Sequence, residues 1–317
     1  MDEEIKGLCR CDCSIMLKDR TWIHRGGMVD YWLKPDTVEE LERVGKTLFK
    51  ANEPFVTIGH TSNTYFKNTF NIKYVIDTRH LKNFFKQDET TLVCECGASM
   101  AKVSQYCVEN GIAGYEGMVG LPGTVGGGIF CNSGCYGCGI ETTLKYIDLL
   151  TDQGEVIKVE TKNLGYTFRT SLMKRGELKG IILRAYFDIS KREHKKQLKS
   201  IAERNRADRK ETQDPPAQNL GSTVNTVGYK RNLRNMIISL LTRVYVHITD
   251  DRQKRYLFRK KLTCLMFGVN RISKYISDKR MNCFIWKDEG ADEAYTKYIA
   301  LMNEVYEHCS VEIIIKE

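Results

Sequence analysis

The sequence predicts an α+β fold of three packed units, on three observations. The chain has 317 residues, more than one hydrophobic core usually serves, since domains commonly run about 100 to 200 residues. Strand-like runs alternate with amphipathic helical runs through its first two thirds. Two glycine-rich stretches lie in different units, and no repeat or low-complexity linker interrupts the pattern. The expected divisions are 1–80, 81–200 and 201–317.

In the first unit the clearest helix is PDTVEELERVGKTLF (35–49). Asp36 or Thr37 can accept the free N–H groups of its first turn, and Glu39, Glu40 and Glu42 suit its positive end. EPFVTIGH then reads as a strand running straight into a loop. The second unit opens with a strand, TTLVCECGAS, and a helix, MAKVSQYCVENG, closed by Gly111. A long glycine-rich segment follows, GYEGMVGLPGTVGGGIFCNSGCYGCG. KYIDLLTDQGEVIKVE is a hairpin around Asp152-Gln153-Gly154, and KGIILRAYFDIS is another strand. From Lys191 a polar helix leads to a proline-containing loop, ETQDPPAQNLGSTVNT. The chain closes with a helix patterned on Ala294, Tyr298, Met302 and Val305 and a strand, VEIII.

A hydrophobic content of 42% with 28% charged residues is near the globular average, and no apolar run approaches the length of a membrane-spanning helix. The segment MDEEIKGLCRCDCSIMLKDR is charged and lacks the apolar run and cleavage site of a secretory signal, so a cytoplasmic location is expected. Twelve cysteines scattered through such a chain read as reduced thiols. Cys9, Cys11 and Cys13 alternate and lack the C-x2-C geometry of zinc sites. Cys131, Cys135 and Cys138 have a spacing used for iron–sulfur clusters, but they sit inside the glycine-rich segment. No metal site is expected.

The net charge of +9 is local, with 14 Lys or Arg against 3 Asp or Glu between Tyr229 and Arg280. Here Leu233, Met236, Ile237, Leu240, Leu241, Val244 and Ile248 recur at helical spacing, and Leu262, Leu265, Met266, Val269 and Ile272 repeat the pattern. Two readings stand: domain helices with basic faces in solvent, or peripheral attachment to anionic lipid. Nucleic acid is not expected, because no base-reading motif accompanies the charge.

Glycine-rich turns after strands let backbone N–H groups approach phosphate oxygens. The first here is Gly59-His60-Thr61-Ser62-Asn63-Thr64, whose side chains add hydroxyl and amide donors. The second is Gly120-Leu121-Pro122-Gly123-Thr124-Val125-Gly126-Gly127-Gly128, continuing through Asn132, Gly134, Tyr136 and Gly137. One such loop is also read as a plain turn, whereas two of this length suggest a dinucleotide whose pyrophosphate lies between them.

The segments GLPGTVGGG and CNSGCYG resemble, at the same spacing, the G-I-P-G-T-V-G-G-A and M-N-A-G-A-Y-G segments of the UDP-N-acetylenolpyruvoylglucosamine reductase family. The likeness extends to its G-G-G-S-N loop at Gly59 through Asn63, its R-x-G-G at Arg25-Gly26-Gly27, its Y-R-D-S at Phe168-Arg169-Thr170-Ser171 and its G-S at Gly221-Ser222. It covers roughly residues 20–225 and resumes near Asn282-Cys283-Phe284-Ile285. This resemblance implies a two-subdomain FAD-binding core of the p-cresol methylhydroxylase type with a C-terminal α+β substrate domain. It implies FAD and NADPH as cofactors, with hydride passed to the enolpyruvyl double bond of a nucleotide-sugar in cell-wall synthesis. Arg169 would bind the substrate carboxylate or enolate oxygen, and Ser222 would donate the proton. His60 either lines its loop or carries FAD covalently, as in related flavoenzymes.

Three departures from the family matter. Its terminal acid aligns with Lys316, leaving Glu312 and Glu317 as neighbours. Gln213 stands near the place of a lysine, and residues 229–281 replace most of the substrate-facing stretch. The alternatives are a flavin oxidoreductase on another sugar-linked substrate in surface-polysaccharide synthesis, or a flavin-binding protein that has lost this catalysis.

Overall fold

Local signals account for most of the helices. In the computed structural model, which describes residues 2–215 and 218–317, the first long helix spans Val38–Lys50. Thr37 caps it, accepting from the Glu40 N–H at 3.1 Å, while the Glu40 carboxylate accepts from the Asp36 N–H at 2.8 Å. This reciprocal pair explains why the helix begins after Thr37 and not at Pro35. Ser99 caps Met100–Glu109, its hydroxyl oxygen accepting from the Lys102 N–H at 3.5 Å, and Gly111 follows with φ +69°, the left-handed turn that ends many helices. Pro216 and Ala217 of the expected proline-containing loop lie outside the described residues.

The chain divides into two compact units, one made of residues 1–19, 26–61 and 69–208, the other of residues 20–25, 62–68 and 209–317. The expected 1–80 and 81–200 segments therefore contribute most of one unit. Residues 20–25 and 62–68 belong instead with the C-terminal part of the sequence.

The first unit has two sheets. One is ordered Arg10–Met16, Met28–Lys34, Ile72–Asp77, Phe55–Ile58, antiparallel at its first pair and parallel elsewhere. The other is antiparallel throughout, ordered Val156–Glu160, Leu144–Thr151, Gly180–Asp188, Thr91–Glu95, Phe84–Asp88. One apolar core runs through both, including Leu41, Val44, Leu48, Tyr74, Cys94, Ile147 and Leu183. Gly45 lets the first helix press on the second sheet, since a Cβ there would lie 2.6 Å from Leu150 Cδ2.

The glycine-rich segment does not run as loop throughout, because Val125–Cys131 is helical. Helix-interior glycine costs about 1 kcal/mol relative to alanine, and close packing is what these positions need. A Cβ on Gly126 would sit 3.1 Å from the Cys96 carbonyl oxygen, and one on Gly128 would sit 3.0 Å from Met100 Cε.

The second unit pairs Val224–Tyr229 antiparallel with Tyr306–Val311, and Ile314–Lys316 parallel with Thr64–Phe66. The expected VEIII strand is thus two. Val311 ends one ladder, Glu312 turns with its N–H donating to Thr223 O at 2.9 Å, and Ile314 begins the other. An aromatic core of Tyr65, Phe284, Trp286, Tyr295 and Tyr298 backs this arrangement. The basic region forms helices Leu233–Val246 and Arg252–Met266, then a 3-10 turn at Asn270–Tyr275. The second apolar pattern therefore straddles a helix end, where Gly268 adopts φ +71°.

Candidate functional site

The first glycine loop leaves the end of Phe55–Ile58, where the Thr78 hydroxyl donates to Ile58 O at 2.9 Å. Beside it the buried Asp77 carboxylate accepts from Trp32 Nε1 at 3.1 Å and from Arg79 Nε and Nη2 at 2.8 and 2.7 Å. His60 is half-buried, and burial foremost, then the nearby Arg79 charge, holds its imidazole below the usual value; a hydrogen bond to the Gly123 backbone acts the other way. It is therefore largely neutral at physiological pH, and it touches the second loop. Thr61 is buried with φ +54°. Ser62, Asn63 and Thr64 fall in the other unit, where Asn63 O accepts from the Ile314 N–H at 2.9 Å and Thr64 starts a strand.

The second loop meets the first at Gly59. A Cβ on Gly59 would lie 2.3 Å from Thr124 Oγ1, so only glycine permits this approach. Thr124 caps the short helix by accepting from the Gly127 N–H at 3.2 Å, and the Val125 and Gly126 N–H groups donate to Ala98 O and Cys96 O at 2.8 and 2.7 Å. Gly123 takes φ +125°. The helix ends at Asn132, φ +47°, whose Nδ2 donates to Glu141 Oε2 and Thr167 O, both at 2.9 Å.

A two-residue hairpin follows, pairing Gly134 with Gly139 and Cys135 with Cys138. Tyr136 and Gly137 form its tip with φ +50° and +78°, the backbone sign that tight hairpin turns require. The Tyr136 hydroxyl donates to Asp208 Oδ2 at 2.9 Å. Cys135 and Cys138 bond one glycine, Cys135 Sγ donating to Gly117 O at 3.0 Å and Cys138 Sγ accepting from Gly117 N at 3.3 Å. Among the described residues no group of three or more His, Cys, Asp or Glu is placed to hold a metal.

The Arg169 motif is tied to the same loop. Thr167 and Thr170 exchange backbone hydrogen bonds at 3.2 Å, leaving Phe168 and Arg169 at the tip of a turn, with Arg169 at φ +56°. Ser171 donates to Phe130 O at 2.7 Å and Lys174 Nζ donates to Arg169 O at 3.1 Å. With the Asn132 bond to Thr167, the turn is fixed to the end of the glycine helix.

Ser222 lies in the second unit, after Gly221 at φ +77°. Its Oγ accepts from Arg280 Nη1 and from Asn282 Nδ2, both at 3.4 Å. Two donors on the oxygen leave its own O–H to point elsewhere. Near Gln213, where the family has a lysine, Lys279 Nζ donates to Lys210 O and Gln213 O at 2.8 and 2.7 Å. Arg280, Asn282 and Lys279 were missed in the sequence, although the motif resuming at Asn282 was the signal. Lys316 pairs with Phe66 in the parallel ladder, and Glu317 forms a surface ion pair with Lys67 at 2.6 Å.

The residues fit a flavin dinucleotide. In the second loop the backbone is open to an approaching phosphate oxygen at Gly127, where a Cβ would meet only Thr124 Oγ1 at 3.3 Å, and at Gly137, where it would meet nothing within 4 Å, the space a pyrophosphate needs. The comparisons agree. Residues 29–160 match the model of an FAD binding domain. The chain is 30% identical over 173 residues to the UDP-N-acetylenolpyruvoylglucosamine reductase of Caldicellulosiruptor saccharolyticus, covering 55% of each. It is 28% identical over 174 residues to that of Staphylococcus aureus, covering 55% of this chain and 56% of the relative. It thus spans about half the length of the curated relatives it matches. Among solved structures, UDP-N-acetylenolpyruvylglucosamine reductase from Thermus caldophilus superposes with a TM-score of 0.68 at 18% identity, over 97% of this chain and 99% of that one. The chain therefore carries an FAD-binding domain, within an α+β fold that resembles UDP-N-acetylenolpyruvoylglucosamine reductase.

Proposed function

We propose that this protein is an FAD-dependent, NADPH-consuming oxidoreductase of the cytoplasm that reduces the enolpyruvyl double bond of UDP-N-acetylglucosamine enolpyruvate in cell-wall synthesis. The observation that carries the reading is the Ser222 hydroxyl with two donors on its oxygen, in a chain whose glycine loops are of the matching kind. A bound flavin supplies the hydride.

The chain's residues handle orientation and the proton. Loops 59–64 and 120–137 hold the dinucleotide. Arg169, fixed at the tip of its turn, takes the substrate carboxylate, a task for which the guanidinium fork is suited. Arg280 and Asn282 occupy the lone pairs of Ser222 and aim its proton away from themselves. The same guanidinium then stabilises the charge left on the oxygen after the proton has gone.

A second reading has one observation in its favour. Lys316 stands where the family has its acid, which suits a different sugar-linked substrate, as in surface-polysaccharide synthesis.

The test is an absorbance spectrum of the purified protein before and after anaerobic NADPH, followed by UDP-N-acetylglucosamine enolpyruvate. The expected result is a flavin band that bleaches and is restored by the substrate. A band that bleaches and stays bleached moves the assignment to the second reading, and an inert flavin leaves a binding protein.

A further inference from the structure

The helix Leu233–Val246 is built inside out. Ile238 is its one buried residue, and beside Ile238 the side turned to its own unit carries Asn235, whose Nδ2 donates to Lys230 O and Val305 O at 2.8 and 2.9 Å. Tyr245 stacks on Phe258 of the following helix with centroids 4.1 Å apart. The opposite side shows Leu233, Met236, Leu240 and Val244 to solvent, exposed by 73, 64, 62 and 54%, with Ile248 just beyond the helix at 70%. At 100° per residue these positions form one continuous stripe. An amphipathic surface helix normally turns such a stripe inward.

Charge separates the candidate occupants. The helix contains no acid, and Lys230, Arg231, Arg234 and Arg243 on or next to it are exposed. The next helix adds exposed Arg252, Lys254 and Lys261. The three acids of the region are already engaged. Asp250 pairs with Arg255 at 3.0 Å, Asp251 caps its helix, and Asp278 pairs with Lys260 at 2.6 Å. A second copy docking through the same face would set two rows of Lys and Arg against each other. An anionic bilayer offers acyl chains to the stripe and phosphates to its rim.

We propose that this face binds the surface of an anionic membrane, with the axis of Leu233–Val246 in the membrane plane. The inference goes beyond the catalytic reading and does not depend on it. The test is co-sedimentation of the full chain with vesicles of phosphatidylcholine alone or mixed with phosphatidylglycerol, at low and high salt. Leu240→Glu and Arg243→Glu are compared with the unmodified protein, and sedimentation velocity without lipid is run alongside. These exposed substitutions are expected to leave folding and the flavin spectrum unchanged.

The expected result is pelleting with the mixed vesicles at low salt, at least about tenfold weaker with neutral vesicles or at high salt, and weakened by either substitution. Equal pelleting with neutral vesicles would overturn the proposal. So would binding indifferent to both substitutions. Absence of pelleting overturns it too, and a dimer that Leu240→Glu dissociates would then assign the face to a second copy.

Discussion

Gly59 and Thr124 approach so closely that a methyl group on the glycine would sit 2.3 Å from the threonine hydroxyl oxygen and 2.8 Å from its methyl carbon. Gly59 of the first stretch thus packs directly on Thr124 of the second, and the point of contact has room for hydrogen alone.

Gly59→Ala should therefore push the loops apart. An overpacked site of this kind costs about 1–3 kcal/mol, read as a lower melting temperature, and purified protein should carry less FAD by absorbance. Gly268→Ala, outside both loops, is the control, since a Cβ there meets nothing within 4 Å and only the left-handed backbone is penalised. Equal flavin loss in both variants would mean that the Gly59 contact is not special.

Ser222→Ala should leave flavin reduction by NADPH nearly unchanged and slow reoxidation by substrate about 100-fold or more, the usual scale for a lost general acid. Arg280→Gln should slow the same half-reaction, because it removes a donor from Ser222 Oγ. Stopped-flow traces of the two half-reactions check both, and equal loss of both steps in Ser222→Ala counts against the proton-donor role.

Asn132→Ala should be worse than Asn132→Gly. Both lose the bonds to Glu141 and Thr167, about 1 kcal/mol each. Alanine adds about 1–2 kcal/mol for left-handed backbone at φ +47°. Urea unfolding of the two variants gives the difference.

His60 has a depressed value in the folded protein, so the unfolded chain binds the proton more readily. Its contribution to stability is complete above the unfolded value of 6.5 and is lost as pH falls through the lower folded value. Melting temperature should decline over that acid range more in the unmodified protein than in His60→Gln. Parallel profiles would remove His60 from the account.

Thiol chemistry should be selective. All twelve cysteines are free; Cys13 is exposed, while Cys94, Cys96, Cys107, Cys131, Cys138, Cys264 and Cys283 are buried. Burial pushes Cys96 and Cys283 up to about 12, which suppresses the thiolate. A disulfide reagent should label Cys13 first and these seven only after unfolding, as peptide mapping would report.

What the sequence disclosed follows the range of the interaction. Thr37 and Ser99 cap helices within a few residues of themselves, and the hairpin turn at Gly154 is equally local, so those elements were legible. Arg280 and Asn282 reach Ser222 across 58 and 60 residues, a relation no local pattern encodes. The glycine helix hid because its residues are poor helix formers chosen for close approach to Cys96 and Met100. Leu233–Val246 showed its period but not its direction, because periodicity gives the stripe and says nothing of which way it turns. The break at Glu312 was invisible, since Val311 and Ile314 read as one apolar run while answering to different partners.

The pairing of Ile314–Lys316 with Thr64–Phe66 has a consequence for biosynthesis. Tyr65 and Phe66, fully buried in the finished protein, leave the ribosome long before the strand that completes their ladder. Until that strand emerges they are an unpaired edge with two large aromatic side chains. The residues of the first unit are all made by residue 208, whereas this ladder of the second waits for Ile314–Lys316.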